Sequence, residues 1–154
     1  MITYAKGDAT KPSGTGNKLI VHICNDIGKW GKGFVMAVSK RWPVPEQQYR
    51  QWYQSKQGFA LGKVQFVQVE PDIWVANMIG QYRLGKDAKG RPPIRYEVVR
   101  ECLHKVATYA KEMNATVHMP RIGCGLAGGT WDKIEPLIQS ALADKGIPTT
   151  VYDL

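Results

Sequence analysis

The segment that most constrains the fold is a β-prone run at residues 19–24 that leads into a glycine-rich loop. Its sequence, LIVHIC, is nearly continuously apolar, which is typical of a strand buried on both faces of a sheet. Residues 28–33 supply the glycines. Residues 34–41 then fit a helix that ends at Trp42-Pro43, because a residue before proline disfavours helix. A strand, a glycine loop and a helix in this order predict an α/β unit.

The rest of the chain alternates between β-prone and helical segments. Strands are predicted at 2–5, 64–69, 73–79, 117–122 and 149–154, and helices at 45–55, 95–113 and about 130–144. The strands at 64–69 and 73–79 are close enough in sequence to pair as a hairpin. Pro120 interrupts its strand, and Pro136 predicts a kink or a late start in the last helix. The alternation predicts a three-layer α/β fold, and 154 residues predict a single domain, 1–154.

Charge and composition limit the classes of ligand and partner that suit the chain. The formal net charge is +8 at pH 7, which suits a phosphorylated ligand or a polyanion. Lys and Arg are spread along the chain, so solubility explains the charge equally well, and no basic run interleaved with aromatics favours a dedicated nucleic-acid surface. No apolar run reaches the roughly 18 residues of a membrane helix, and the N-terminus lacks a signal-peptide pattern. Cys24, Cys102 and Cys124 form no CxxC pair, so we expect a cytoplasmic protein.

A second glycine-rich junction lies at residues 119–130, MPRIGCGLAGGT. It repeats the pattern of the first, with glycines after a strand and before a helix, where backbone N–H groups and the helix N-terminus favour an anion. Neither junction is a P-loop or a GxGxxG motif, and each alone fits a tight turn equally well. Together they favour a diphosphate held at the carboxyl ends of the strands. No cluster has the spacing of metal ligands, and no cofactor is expected.

Five motifs in order give the chain a family resemblance over nearly its whole length. They are GD at 7–8, VHICN at 21–25, WGKG at 30–33, MPRIGCGL at 119–126 and VYDL at 151–154. With these the chain resembles a macrodomain, and more narrowly the compact branch that includes ADP-ribose-1''-phosphate phosphatases and the terminal ADP-ribose glycohydrolase type. The resemblance implies an α/β/α fold with a mixed central sheet. It also implies binding of ADP-ribose or ADP-ribose-1''-phosphate, free or attached to protein or nucleic acid. A monomer is the default expectation, because the sequence carries no signal for the oligomeric state.

The resemblance assigns binding roles to single residues. Asp8 is expected to accept a hydrogen bond from the adenine amino group beside a backbone contact from Ala9, Asn25 to contact the distal ribose, and Tyr152 to pack near the adenosine. The diphosphate is expected between two sets of residues: Gly31, Lys32 and Gly33 on one side, and Gly123, Cys124, Gly125, Leu126 and Ala127 on the other.

Simpler explanations stay open for several of these residues. Asp8 also fits a turn, Asn25 a strand end and Tyr152 an ordinary core position. Cys124 fits a tight loop better than a reactive thiol, because no base stands beside it in the sequence. Trp30 either caps the distal ribose or packs in the core.

The sequence says less about catalysis than about ligand binding. The glycohydrolase type relies on a lysine after the central strand and an aspartate in the second glycine loop. Here those places hold Gly80 or Gln81, and Ala127, so a lysine–aspartate mechanism is not expected.

The first glycine loop is more similar to the phosphatase type. Asp26 or His22 is then the candidate general base, with Lys29 or Lys32 offsetting phosphate charge. His22 equally fits a core histidine. The sequence therefore leaves two hypotheses, a hydrolase of ADP-ribose-1''-phosphate or a related conjugate, and a non-catalytic reader of ADP-ribose.

Overall fold

A six-stranded sheet in the order β1-β6-β5-β2-β4-β3 organises the chain, and the computed structural model describes residues 1–154. The strands are β1 (Ile2–Lys6), β2 (Lys18–Asn25), β3 (Val64–Glu70), β4 (Ile73–Gln81), β5 (Thr116–Met119) and β6 (Thr149–Asp153). The helices are α1 (Phe34–Arg41), α2 (Val44–Ser55), α3 (Tyr96–Met113) and α4 (Trp131–Ala141), and a 3₁₀ turn at Ala143–Lys145 follows α4.

Strand directions place most loops of interest on one edge. Strands β1, β6, β5, β2 and β4 are mutually parallel, and β3 alone runs antiparallel, paired with β4. The predicted hairpin and the mixed sheet are therefore confirmed. Because parallel strands end at the same edge, the segments that follow β1, β6, β5, β2 and β4 lie along that edge in the order of the strands.

Helices cover both faces of the sheet, which confirms the three-layer prediction. The larger apolar cluster joins the sheet to α3 and α4, and the smaller one joins it to α1 and α2. Strand β2 contributes to both, with Leu19 and Val21 in the larger cluster and Ile20 and Cys24 in the smaller. This two-sided burial is the reason that its sequence carries no polar–apolar alternation. No helix combines the length and apolarity needed to cross a membrane.

The predicted element bounds need small corrections around the two prolines. Strand β5 ends at Met119, so Pro120 belongs to the loop rather than to the strand. Helix α4 begins at Trp131 and continues through Pro136, so the predicted late start is wrong. A proline in the second turn removes one backbone hydrogen bond, and the buried side chains on either side, Ile134 and Ile138, keep the helix on the sheet.

Candidate functional site

A cleft of about 910 Å³ opens at the carboxyl edge of the sheet. We call residues 25–33, which follow β2, the first loop, and residues 120–130, which follow β5, the second loop. Both loops line the cleft, together with Gln81 at the end of β4, Leu84 and Gly85 beyond it, and Arg50 of α2. The order of the strands therefore brings together the first loop and the second loop, which are far apart in sequence, and the site lies between them.

Most of the predicted ligand-binding residues line this cleft, and some do not. The predicted residues in the first half of the chain that line the cleft are His22, Asn25, Trp30, Gly31, Lys32 and Gly33. Those in the second loop are Gly123, Gly125, Leu126 and Ala127. The remaining predicted residues, Asp8, Ala9, Asp26, Cys124 and Tyr152, are not among the lining residues.

Asn25 shapes the turn that begins the first loop. Its Oδ1 accepts hydrogen bonds from the backbone N–H groups of Ile27 at 3.1 Å and Lys29 at 3.0 Å. Its Nδ2 donates to the Lys29 carbonyl at 2.7 Å. The buried Tyr49 hydroxyl donates to the Asn25 carbonyl oxygen at 2.6 Å. Asparagine suits this place because its short amide closes a turn on its own backbone, and one amide hydrogen is left for a ligand.

A ring of side-chain hydrogen bonds supports the first loop from α1 and α2. The Trp30 indole donates to Ser39 Oγ at 2.7 Å, and Ser39 donates to Glu46 Oε1 at 2.9 Å. Glu46 Oε2 accepts from Arg50 Nε at 2.9 Å, and Arg50 Nη2 returns to the Trp30 carbonyl at 3.2 Å. Arg50 Nη1 also donates to the Gly28 carbonyl at 3.3 Å. Trp30 is 5% exposed, so it packs in the smaller core cluster while bordering the cleft.

Backbone donors of the first loop are left without protein partners. The N–H groups of residues 31–33 donate no hydrogen bond to another group of the protein. Gly33 is the N-cap of α1 and has φ +84°, and no side chain caps the helix. Only glycine adopts this conformation without strain, and the uncapped helix start adds a partial positive charge. These donors are suited to an anion.

The second loop is folded tightly against the segment that precedes α3. Gly123 has φ +73°, and a Cβ on it would lie 2.7 Å from Ile94 Cδ1. Its carbonyl oxygen accepts from the N–H of Gly129 at 2.7 Å, and the Ala127 carbonyl accepts from the Ile94 N–H at 3.0 Å. The N–H groups of residues 125–127 donate to no group of the protein. The second loop thus presents backbone donors in the same manner as the first.

The two loops approach each other at Gly33 and Leu126. A Cβ placed on Gly33 would lie 3.6 Å from Leu126 Cδ1, so the Leu126 side chain lies over the start of α1. Leu126 is 66% exposed and Leu84, on the other side of the cleft, is 55% exposed. Exposed leucines at the rim of a cleft are expected where they cover a bound ligand.

The lining of the cleft is strongly positive. It includes Lys29, Lys32, Arg50 and Arg121, and it includes no Asp or Glu. Arg50 is paired with Glu46 at 2.9 Å, and Arg121 with Asp153 at 2.8 Å. Lys29 and Lys32 form no ion pair within the protein. A concave site with cations and no carboxylate concentrates anionic ligands.

The two candidate bases lie in different surroundings. His22 is 2% exposed in β2, and its Nε2 is 2.6 Å from Asn77 Oδ1. Burial lowers the pKa of His22 to about 4, so its imidazole is neutral at pH 7. Asp26 follows the end of β2, and its Oδ1 accepts from the backbone N–H of Arg83 at 2.7 Å. Asp26 therefore lies on the side of the first loop that faces the segment after β4.

The residues predicted for the adenosine lie at the carboxyl ends of β1 and β6. Asp8 Oδ1 accepts from the backbone N–H and from the hydroxyl of Thr10, both at 2.8 Å. The Tyr152 hydroxyl accepts from the Ser13 N–H at 3.0 Å and lies 2.8 Å from His118 Nδ1. The Tyr152 ring borders Gly7, where a Cβ would lie 3.7 Å from Tyr152 Cδ2. Both side chains thus organise the segment after β1.

Sequence reasoning missed Arg50, Leu84 and Gly85 as cleft residues. Arg50 lies in a polar helix with no motif around it, and it reaches the cleft because α2 packs behind the first loop. Leu84 and Gly85 lie between β4 and α3, where no motif in the sequence marks them.

Comparison with known proteins identifies the family. The chain is 60% identical to a protein of unknown function from Bacteroides thetaiotaomicron, with a TM-score of 0.99 over 100% of this chain and 98% of that one. It is 55% identical to a macrodomain protein from Streptomyces coelicolor, with a TM-score of 0.90 over 100% of this chain and 99% of that one. No family model matches the chain.

Curated relatives are more distant. The chain is 32% identical over 161 residues to chromodomain-helicase-DNA-binding protein 1-like of Mus musculus, and it spans 17% of that protein's length. It is 27% identical over 146 residues to an ADP-ribose 1''-phosphate phosphatase of Candida albicans, covering 90% of this chain and 92% of that one. The mixed sheet, the two glycine loops at its carboxyl edge and the full-length similarity to the Streptomyces coelicolor protein show that the chain belongs to the macrodomain family.

Proposed function

We propose that the cleft binds ADP-ribose and holds its diphosphate between the two loops. The observation that carries this proposal is the pair of backbone segments 31–33 and 125–127, whose N–H groups have no partner in the protein. Both segments line the same cleft. Diphosphate oxygens can accept from both sides at once, and the start of α1 favours their negative charge. The volume of about 910 Å³ lies within the range of about 300–1,000 Å³ that is typical of small-molecule sites.

The order of the strands supports one direction for the ligand along the sheet edge. Asp8, Ala9 and Tyr152 follow or end β1 and β6, so the adenosine is proposed at that end of the edge. The second loop follows β5 and the first follows β2, so the diphosphate is proposed in the middle. The distal ribose then reaches Asn25 and the segment after β4. In this arrangement Trp30 forms part of the wall beside the distal ribose, and Cys124 contributes backbone rather than a reactive thiol.

We also propose hydrolysis of ADP-ribose-1''-phosphate or a related derivative at the distal end. Water attacks the phosphorus, the bond between phosphorus and the 1'' oxygen breaks, and ADP-ribose and inorganic phosphate are released. Asp26, which lies beside the cleft rather than in its lining, is the proposed general base through the carboxylate oxygen that Arg83 does not hold, and Lys29 and Lys32 offset the phosphate charge. This proposal is supported by Lys29 and Lys32, which line the cleft and form no ion pair within the protein, and by the name of the Candida albicans relative.

A specific observation favours the alternative, a reader that binds without cleaving. Ala127 lines the cleft, and it can neither attack nor accept a proton. Gly80 packs against Val99 and Ile23, since a Cβ there would lie 3.2 Å from Val99 Cγ2. Gln81 is the residue at this position that lines the cleft. The lysine–aspartate pair of the glycohydrolase type therefore has no counterpart among these residues.

In either form of the proposal, residues 1–154 act as one macrodomain and as a monomer in the cytoplasm. The ligand is free ADP-ribose, its 1''-phosphate, or an ADP-ribose group attached to protein or nucleic acid. The excess of basic residues, +8 at pH 7, supports an anionic ligand in each case.

Isothermal titration calorimetry tests binding. We expect ADP-ribose to bind more tightly than ADP, and ADP more tightly than AMP, because each step adds groups that face the two loops. Lys32→Ala is expected to weaken binding of ADP-ribose, and Lys40→Ala, on the exposed part of α1, serves as the charge-matched control. If ADP-ribose does not bind at millimolar concentration, the proposed function is wrong.

Release of inorganic phosphate from ADP-ribose-1''-phosphate tests hydrolysis. We expect turnover above the buffer rate, and Asp26→Asn is expected to abolish it while ADP-ribose affinity is retained. Absence of turnover in a protein that binds ADP-ribose would establish the reader. Full activity in Asp26→Asn would remove Asp26 from the mechanism.

A further inference from the structure

Buried Asn77, in the middle of β4, has a fixed amide orientation. Its Nδ2 is 3.2 Å from the Pro45 carbonyl oxygen and 3.1 Å from Gln65 Oε1. A backbone carbonyl only accepts hydrogen bonds, so the amide end that contacts Pro45 is the NH₂ group. The opposite end, Oδ1, is therefore the atom that lies 2.6 Å from His22 Nε2.

The amide orientation fixes the tautomer of His22. Because Asn77 Oδ1 only accepts, His22 Nε2 must carry the hydrogen and donate it. A neutral imidazole has one N–H group, which leaves His22 Nδ1 as a bare acceptor. Protonation of both nitrogens is disfavoured since burial lowers the pKa of His22 to about 4. The tautomer is thus set by a chain of contacts that begins at a main-chain carbonyl.

The bare nitrogen of His22 is the one buried side-chain polar atom in the protein without a hydrogen-bond partner. The ring is 2% exposed and borders the cleft. Trp30 packs against it with ring centroids 5.3 Å apart, and Phe34 with centroids 5.8 Å apart. Neither aromatic ring supplies a donor to Nδ1. A buried acceptor without a partner is costly, about 1–3 kcal/mol, so a partner from the cleft is expected.

We propose that Asn77 holds His22 as the Nε2–H tautomer, and that His22 Nδ1 accepts a hydrogen bond from a hydroxyl group at the floor of the cleft. The hydroxyl belongs either to the distal ribose of the ligand or to a water molecule beneath it. Asn77 is then a positioning residue that acts through His22, and His22 is a residue that selects for a hydrogen-bond donor. The part that concerns the ribose rests on the proposed function, and the tautomer does not.

This role differs from general-base catalysis. A base removes a proton in the reaction, whereas a buried neutral imidazole holds a hydroxyl that keeps its own proton. The same geometry explains the proposed preference for a hydroxyl group. A carbonyl or ether oxygen in its place would put one acceptor against another, because neither that oxygen nor His22 Nδ1 carries a hydrogen. Such a mismatch lowers the binding affinity more when it is buried than when it is exposed to water.

Nitrogen-15 NMR of the uniformly labelled chain tests the tautomer directly. We expect His22 to show a protonated Nε2 and an unprotonated Nδ1 at pH 7. His118 provides an internal reference, because it is also buried and its Nδ1 lies 2.8 Å from the Tyr152 hydroxyl. A protonated Nδ1 on His22 would overturn the proposal, whatever the protein binds.

Titration with ADP-ribose and with ADP identifies the hydroxyl. A shift of the His22 Nδ1 signal with ADP-ribose and none with ADP assigns the donor to the distal ribose. A signal that is unaffected by both, and already typical of an accepting nitrogen, assigns the donor to water. An Nδ1 signal typical of a nitrogen without a hydrogen bond in both states contradicts the proposal. Failure of ADP-ribose to bind in calorimetry is a separate result, which overturns the proposed function and leaves the tautomer measurement valid.

Two variants separate positioning from folding. Asn77→Leu removes the acceptor, and we expect the His22 signals to become a mixture of tautomers and ADP-ribose affinity to fall by about three- to tenfold. Gln65→Leu removes one of the two acceptors of Asn77 and leaves the Pro45 carbonyl, so the tautomer is expected to persist. If the tautomer is unchanged in a folded Asn77→Leu protein, Asn77 does not position His22. If Asn77→Leu fails to fold, the unmodified protein still decides the tautomer.

Discussion

Arg50 and Trp30 are joined at two points, one on the main chain and one on the side chain. Arg50 Nη2 donates to the Trp30 carbonyl oxygen at 3.2 Å, and the Trp30 indole connects back to Arg50 through Ser39 and Glu46. The carbonyl oxygen of Trp30 is thereby satisfied within the protein. We infer that this ring holds the N–H groups of the first loop in place before a ligand arrives.

Breaking the ring is expected to weaken ligand binding more than folding. Ser39→Ala removes the acceptor of the Trp30 indole and the donor to Glu46. We expect ADP-ribose affinity to fall by about three- to tenfold, which is the effect of one or two hydrogen bonds. Calorimetry measures this, and Gln51→Ala, an exposed residue of α2, is the control. Equal affinities of Ser39→Ala and Gln51→Ala would show that the ring does not organise the loop.

Gly123 and Gly125 are expected to differ sharply when each is replaced by alanine. Gly123 has φ +73° and a Cβ there would lie 2.7 Å from Ile94 Cδ1, whereas a Cβ on Gly125 meets nothing within 4 Å. Gly123→Ala therefore adds backbone strain and overpacking, and we expect a loss of about 2 kcal/mol in the free energy of unfolding. Gly125→Ala is expected to stay within about 0.5 kcal/mol of the unmodified protein. Urea denaturation compares them, and equal stabilities would contradict the prediction.

Stability is expected to fall as the pH drops from about 6.5 towards 4. The ordinary pKa of histidine is 6.5, and burial lowers the pKa of both His22 and His118 to about 4. Between these values the unfolded chain binds a proton at each residue that the folded chain does not. The stability is therefore fully present above pH 6.5 and is lost as the pH falls, by up to about 1.4 kcal/mol per pH unit for each histidine.

Urea denaturation at several pH values measures this loss. His22→Gln is expected to reduce the slope of unfolding free energy against pH by one proton, and His104→Gln, on an exposed residue, is the control. The pKa of Asp87 and that of Asp153 are lowered by their contacts with Arg91 and Arg121. Their contribution is lost as the pH falls below about 4, beneath the histidine range. A flat profile between pH 7 and 5 would mean that neither histidine is buried in its neutral form.

Asp8 is expected to select the base of the ligand. One of its carboxylate oxygens is held by Thr10 at 2.8 Å, and the other forms no hydrogen bond in the protein and is free to accept from an adenine amino group. Asp8→Asn is expected to reduce the preference for ADP-ribose over its hypoxanthine analogue, which carries a carbonyl in place of the amino group. Competition calorimetry measures the ratio. Thr10→Val, which removes the hydroxyl contact and keeps the carboxylate, separates loss of the acceptor from loss of loop shape.

The bounds of a helix or strand could be predicted where neighbouring residues in the sequence determine them. The helix at 34–41 was predicted with its observed bounds, because a glycine loop precedes it and Trp42-Pro43 ends it. In α3 the helical spacing of Val98, Cys102 and Val106 in the sequence predicts Val98 on the apolar face, whereas Val99 is the buried residue. Spacing alone does not choose between adjacent positions at the start of a helix, because packing against β4 rotates the face. Pro136 misled the prediction for a similar reason, since the core contacts of α4 outweigh one missing hydrogen bond.

In the candidate site, too, the features that depend on local sequence were predictable and those that depend on tertiary contacts were not. The two glycine loops could be found from the sequence because strand, glycine and helix follow one another along the chain. Arg50 could not, because it reaches the first loop across the packing of α2 rather than along the chain. The tautomer of His22 likewise depends on Pro45, Asn77 and Gln65, which come from three different elements or their ends.

The sequence by itself determined the α/β class, the two glycine loops and the resemblance to macrodomains. These depend on short segments whose backbone preferences are local. The tertiary structure alone decided which residues share the cleft, which N–H groups are left for a ligand, and which nitrogen of His22 carries its hydrogen. Such features are set by strand order and by contacts between distant segments. The same glycines that predict an anion site in the sequence therefore become a defined pair of loops only when β2 and β5 lie side by side.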